Sequence, residues 1–280
     1  FTSDNETSPY YANTGHTLRL NIETSEVVEE PMVLVGGNTV ELTGQEKNWV
    51  ASYLVSESDQ EGIISFNLEI KDLAGNFLSD ISTTLDSSEV TIDRTAPNII
   101  EVGISSANSY GNDLSIPGDV VSVHFEVDEP VPMPEVLISG TSAQVSGSGT
   151  LWVASRTMTE LDDGGEIFFS ISCKDFANNS GSEVTATTDS SKVVYDKTLP
   201  EITFLSISSD NEYTDSVAIV GDTVTLVFQA SEIIHFPVLT IGGKDVTFDT
   251  LDIDQVSGNV LWEARKPMAW DDPEGFLDFN

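Results

Sequence analysis

A step of 103 residues governs this chain. Gly15, Gly118 and Gly221 open the runs GHTLRLNIETSE, GDVVSVHFEVDE and GDTVTLVFQASE, and both intervals are 103 residues. Ser3, Ser106 and Ser209 keep the step upstream, and Pro31, Pro134 and Pro237 keep it downstream. The tryptophans follow as Trp49, Trp152 and Trp262, so the third copy has gained seven residues before its tryptophan. Self-similarity at a fixed period means that each copy is a structural unit, and about a hundred residues is one small domain. The first two copies close on VTIDRTAP (90–97) and VVYDKTLP (193–200). Repeats are therefore expected at 1–97, 98–200 and 201–280, joined through Asp-x-Thr-x-Pro. Phe1 aligns with Ile104 and Phe279 with Phe66, so the first copy is expected to lack its opening residues and the third its closing ones. The insertion falls within 244–259, KDVTFDTLDIDQVSGN, the one stretch where a copy gains surface of its own.

Within a copy the apolar residues alternate. Val121, Val123, Phe125 and Val127 share one face of VVSVHFEV, and Ile64, Phe66, Leu68 and Ile70 do the same in GIISFNLEIKD. Period two with a polar second face is the mark of antiparallel sheets solvated on one side. No stretch carries a helical stripe. About seven short strands per copy, separated by Gly, Pro, Asn and Asp turns, predict an all-β fold of tandem two-sheet Greek-key sandwiches. In the second copy the strands are expected at 99–106, 118–127, 134–139, 151–159, 165–174 and 182–195 (the last with a break), with a short one near 142–146. Trp152 is expected to plug one end of the core.

Charge narrows the partners. Lys plus Arg number 11 against 47 Asp plus Glu, a formal net charge of −36. Phosphate recognition needs a basic face, so nucleic acid and anionic membrane surfaces are excluded. No apolar run approaches the roughly 18–20 residues of a membrane span. So acidic a chain repels itself unless salt or divalent cations relieve it. The single cysteine, Cys173, lies on the inward side of Phe169–Ile171–Cys173 and reads as a small core hydrophobe.

The order G-D-x-V-x-L-x-F-x-x-S-E, P-x-V-x-I-G-G, W-x-A, D-x-x-G, D-x-A-G-N and D-x-T-x-P resembles bacterial-type immunoglobulin-like repeats of large surface adhesins and extracellular stalk proteins. The resemblance spans nearly the whole chain and implies sandwiches strung end to end, often with calcium at the joints. The second copy departs from it with D-F-A-N-N at 175–179 and D-E-P at 128–130, and the first with Gly15-His16 in place of Gly-Asp.

No catalytic constellation is visible. His16, His124 and His235 occupy unrelated positions of the repeat, and carboxylates without a cleft or basic partner make no acid–base pair. The loops D72-L-A-G-N76 and D175-F-A-N-N179 are expected to be tight turns, with Gly75 or Asn178 left-handed and the aspartate bonding loop amides. A second reading makes the same acids cation ligands. In a Greek-key sandwich, a joint gathers the loop after the tryptophan strand, the linker aspartate, and two loops of the next copy. At the first joint these carry Asp59, Glu61, Asp93, Asp128, Glu129 and Asp175; at the second, Asp162, Asp163, Asp196 and Glu232. Converging carboxylates repel unless a cation sits among them, and calcium with its six to eight oxygen ligands suits them. Solvated loop acids are the alternative. Two sequons, at Asn5 and Asn178, lie in segments expected to be exposed and matter only in a glycosylating source.

The expected role is a structural spacer in an extracellular surface, stalk or appendage protein, its partners being the neighbouring repeats. Two alternatives are a module binding a glycan or protein, for which the 244–259 insertion is the best surface, and a subunit of a cation-bridged, self-assembling lattice.

Overall fold

A computed structural model of the chain describes residues 1–253 and 260–280. It separates into two compact units, Phe1–Lys197 and Thr198–Asn280. The described residues form strands and no helix, and none therefore is long and apolar enough to cross a membrane.

The first unit holds two sandwiches, each with its own core. In the second of them, Ile99–Ser106, Val120–Val127, Leu151–Thr157 and Gln144–Ser148 form one antiparallel sheet in that order. Facing it, Thr141–Ser142, Glu135–Ile138 and Phe169–Ser172 form the other. A small sheet of Leu114–Ser115, Val194–Tyr195 and Gly165–Glu166 closes one end, its first pair parallel. Val121, Val123, Phe125 and Val127 are all buried, as the alternation requires. Phe125 pairs across to Trp152, and Val123 to Ala154. Val136, Ile138, Phe169 and Ile171 meet them from the opposite sheet. Each fully buried aliphatic side chain contributes on the order of 2 kcal/mol. Trp152 is 6% exposed, and its indole N–H donates to the Gly149 carbonyl at 3.1 Å.

Beyond Cys173 the strand expected at 182–195 is mostly irregular. Only Val194–Tyr195 forms a strand, and isolated bridges tie Val184 to Ile171 and Ser180 to Lys174. Between them the chain crosses to the edge of the first sheet. There Thr188 Oγ1 accepts from the Val102 amide at 2.9 Å, and Ser191 Oγ from that of Ile104 at 2.8 Å. Hydroxyls supplement a single backbone bond here, from the Thr188 amide to the Val102 carbonyl at 2.9 Å, the usual competition from Ser and Thr.

The first sandwich repeats the four-stranded order with Thr2–Ser3, Thr17–Glu23, Asn48–Leu54 and Glu41–Gln45. It differs on the opposite side, where Phe77–Ile81 forms a true hairpin arm against Phe66–Lys71. Trp49 is only half-buried here.

In the second unit, Ile202–Ser209, Thr223–Ala230, Val260–Pro267 and Thr247–Ile253 form a sheet in the same order. Its core gathers Leu226, Phe228, Ile241, Trp262 and Ala264. The insertion lengthens the last two strands, whose ladder runs to Ile253 opposite Val260 with an irregularity between Thr250 and Asp252. The rest of the inserted stretch, 254–259, lies outside the described residues.

Candidate functional site

Two equivalent loops begin the site. Asp72 Oδ1 accepts from the Ala74 and Asn76 amides at 2.9 and 2.7 Å, and its Oδ2 accepts from Asn76 Nδ2 at 2.6 Å. Asp175 does the same with Asn179, taking the amide at 2.8 Å and Nδ2 at 2.6 Å. Gly75 (φ 93°) and Asn178 (φ 73°) turn the corner left-handed, a conformation open to Gly and tolerated by Asn. The hydrogen bonds from Asn76, its side chain foremost, hold the Asp72 carboxyl below the ordinary carboxylate range. Surroundings separate the two loops. Residues 73–78 face solvent, whereas Asp175 is 1% exposed.

The end of the first sandwich covers Asp175. Tyr11 stacks on Phe176 with ring centroids 5.6 Å apart and planes at 28°. Asn5 Nδ2 donates to the Phe176 carbonyl at 2.8 Å. Asn13 Nδ2 donates to Asn179 Oδ1, and Asn179 Nδ2 donates to the Asp93 carbonyl at 3.0 Å. The linker runs tightly over this surface. A Cβ on Gly181 would stand 2.5 Å from the Pro97 carbonyl oxygen, so glycine is what lets the linker lie down. Past the proline, Asp128 fastens Asn98 by accepting from its amide at 2.8 Å and its Nδ2 at 3.1 Å.

Docking brings three carboxylates together. Oxygens of Asp93, Glu129 and Asp175 all lie within 4.8 Å of one another, Asp93 from the first sandwich and the other two from the second. None of the ion pairs among the described residues involves them. At an effective dielectric near 20, each like-charge pair at that range costs roughly 3 kcal/mol if both are ionised. Burial pushes the Asp93 carboxyl up against the lowering hydrogen bond from the Thr95 amide, and the charges of Asp175 and Glu61 push it further. Glu129 is pushed up to about 7, by burial first and then by Asp93, Asp175 and Asp128. A proton or a hard cation would relieve such a cluster, and its all-carboxylate donor set fits a cation that prefers oxygen.

The other sequence-expected ligands are not members of this trio, although Glu61 and Asp128 act on it by charge. Asp59 and Asp162 were expected at joints, but each closes its own turn. Asp59 Oδ2 accepts from the Ser56 amide at 2.7 Å, and Asp162 Oδ2 from that of Thr159 at 2.8 Å. Their second oxygens take Tyr53 Oη and Arg156 Nη2, both at 2.6 Å. Burial raises both carboxyls, yet these bonds hold both below the ordinary range. A carboxylate two or three residues from an orphan amide satisfies it locally before reaching for a joint. Glu61 Oε1 is taken by the Arg94 amide at 2.7 Å, and Asp128 by Asn98. Asp163 is exposed and Asp196 donates its amide to the Ser115 carbonyl at 2.8 Å; these two and Asp162 belong to the first unit, Glu232 to the second.

The sequon exposure expected at Asn5 also needs correction. That residue is 6% exposed, its Nδ2 divided between the Tyr11 and Phe176 carbonyls, so no transferase can reach the nitrogen in the folded chain. Asn178 is exposed. Residues missed from sequence include Asn179 and Arg94. The Arg94 guanidinium donates to the carbonyls of Ser56, Glu57 and Asp59, and Lys197 Nζ to those of Glu160 and Asp162. A base in the second place of both Asp-x-Thr-x-Pro joints was the available signal.

No protein-family model and no curated protein matches the chain. Among solved structures it is similar to the fibronectin(III)-like modules of Clostridium thermocellum CbhA, at 9% identity over 70% of this chain and 94% of that one, with a TM-score of 0.35. The I9–I11 tandem of titin is 12% identical over 96% of this chain and 89% of that one, with a TM-score of 0.34. The SGBP-B protein of the Bacteroides ovatus mixed-linkage glucan utilization locus, solved with a mixed-linkage heptasaccharide, is 14% identical over 92% of this chain and 72% of that one, at a TM-score of 0.21. Sheet order and separate cores make the chain an all-β tandem of sandwich repeats.

Proposed function

We propose that this chain is a spacer segment of an extracellular surface, stalk or appendage protein of the bacterial immunoglobulin-like kind, and that calcium stiffens its first joint. The observation that carries the reading is the meeting of Asp93 with Glu129 and Asp175 across two sandwiches. Their carboxylates would hold the ion, with water completing its shell. Bare, the three repel and work against the docked joint; a divalent cation reverses that sign. The net charge of −36 favours a saline or calcium-rich exterior for the same reason.

Extracellular calcium modules bind at roughly 10⁻⁴–10⁻³ M, so the joint would be loaded outside a cell and bare inside one. Calorimetric titration of the full chain with calcium, paired with small-angle scattering in calcium and in chelator, tests this. Binding in that range, lost in a D93N/D175N variant, is expected together with a narrower spread of shapes in calcium. No calcium heat and identical scattering curves would overturn the calcium joint.

A further inference from the structure

The three copies build one turn in two ways. In the second repeat Asp119 Oδ2 accepts from the Ile116 amide at 2.8 Å and from Asn108 Nδ2 at 2.7 Å. The third repeat does likewise: Asp222 Oδ2 takes the Ile219 amide at 2.8 Å and Asn211 Nδ2 at 2.7 Å. In both, the asparagine that follows the first strand is held inside its own repeat. The first repeat has His16 in place of that aspartate, and His16 Nδ1 accepts from the Asn13 amide at 2.8 Å. The turn survives the exchange. A carboxylate oxygen carries two lone pairs, whereas an unprotonated ring nitrogen carries one. The imidazole Nδ1 therefore has nothing left for Asn5. Its amide donates instead to the Tyr11 carbonyl at 3.2 Å and across the joint to the Phe176 carbonyl. The corner residue changes as well. Where the other copies expose Ile116 and Ile219, the first has Asn13, whose Nδ2 donates to Asn179 Oδ1.

We infer that His16 determines whether the asparagine after the first strand is held inside its own repeat or reaches out as part of a clasp, and that the clasp's partner is a sandwich presenting an Asp-aromatic-Ala-Asn-Asn loop. The clasp reads that loop at three points: the aromatic ring through Tyr11, the aromatic residue's carbonyl through Asn5, and the last asparagine through Asn13. The second and third repeats, with Asp119 and Asp222, hold their asparagines inside their own repeat and carry isoleucine at the corner. This inference rests on the reading of the chain as a jointed spacer and is independent of calcium.

The test uses the full chain in chelator throughout, with amide hydrogen exchange over 175–181 as the readout. H16D restores the residue of the other two copies, so the turn should form and Asn5 should be recaptured. Exchange over 175–181 should then rise roughly tenfold, as expected for losing a buried hydrogen bond worth about 1–1.5 kcal/mol. N5A should raise it similarly with His16 intact, and D119H should leave it unchanged. Exchange within twofold of the parent chain in either H16D or N5A, with the far-ultraviolet spectrum preserved, overturns the inference. A calcium response that fails while these shifts appear overturns the proposed calcium joint and leaves the clasp standing.

Discussion

Replacing Glu129 with glutamine should stabilise the chain without calcium, and calcium should shrink that gain. Glu129 is half-buried among Asp93, Asp175 and Asp128, and its carboxyl is pushed up to about 7. In the unfolded chain it titrates near the ordinary glutamate value of about 4.3. Between those values the folded state binds more protons than the unfolded one, so stability falls as pH rises through this window. Below it the charge penalty is absent; above about pH 7 it is complete. Taken whole, the difference amounts to roughly 3 kcal/mol, which solvent screening at a half-buried group cuts to about 1–2 kcal/mol. At pH 8 in chelator, E129Q should therefore raise the melting temperature of the first unit, by about 2–8 °C for a body of this size. Near pH 5 most of that gain should disappear. Calcium narrows the difference. At 10 mM, a site of roughly 10⁻⁴–10⁻³ M affinity adds about 1.4–2.7 kcal/mol to the parent chain, and glutamine forfeits a share of it. Scanning calorimetry of both proteins at pH 5 and 8, each with calcium or chelator, measures all four cases. A variant that melts at or below the parent temperature at pH 8 in chelator would refute the account of mutual repulsion.

Three further outcomes follow from particular contacts. G181A drives a methyl group into the Pro97 carbonyl and should cost about 1–3 kcal/mol in denaturant melts; L78A, at the equivalent exposed position of the first repeat, should stay within about 0.5 kcal/mol. D162A strands the largely buried Arg156, 2.6 Å from the lost carboxylate, so a loss of about 3–5 kcal/mol is expected, and a loss under about 1 kcal/mol would contradict the assigned pair. Cys173 is buried, and burial first, then the charges of Asp128, Glu129 and Asp175, push its thiol up; a thiol reagent at pH 8 should label it slowly in the native chain and at once in urea, and equal rates would count against its place in the core.

Much of the architecture was legible because it is a one-dimensional property. Alternation along VVSVHFEV gives the inward face of one strand wherever that strand lies, and Val121, Val123, Phe125 and Val127 are buried together. The loop aspartates were legible for the same reason. Asp72 and Asp175 satisfy amides two to four residues away, so spacing alone identifies donor and acceptor. Less legible was the course of 182–195, where Thr188 and Ser191 hydroxyls supply bonds that a strand's backbone would have made. Asp59 and Asp162 were assigned to joints although each stands three residues after the Ser56 or Thr159 amide it accepts from. That spacing was readable and outweighs a distant joint, since closing a turn costs little entropy.

By itself, the sequence determined the repeat, the inward faces of the strands, the turns and the strongly acidic net charge. Those depend on period, side-chain polarity and bonds between near neighbours. Tertiary structure alone decided which of the many acids meet. Asp93, Glu129 and Asp175 are separated by dozens of residues, and they converge only because Tyr11, Asn5 and Asn13 hold the 175–179 loop in place. Whether Asn5 turns inward or reaches across depends in turn on one lone pair at His16. Repulsion between the carboxylates opposes that convergence, so charge along the chain could not single these three out of the six acids expected at the first joint; packing and hydrogen bonding elsewhere at the joint overcome the repulsion.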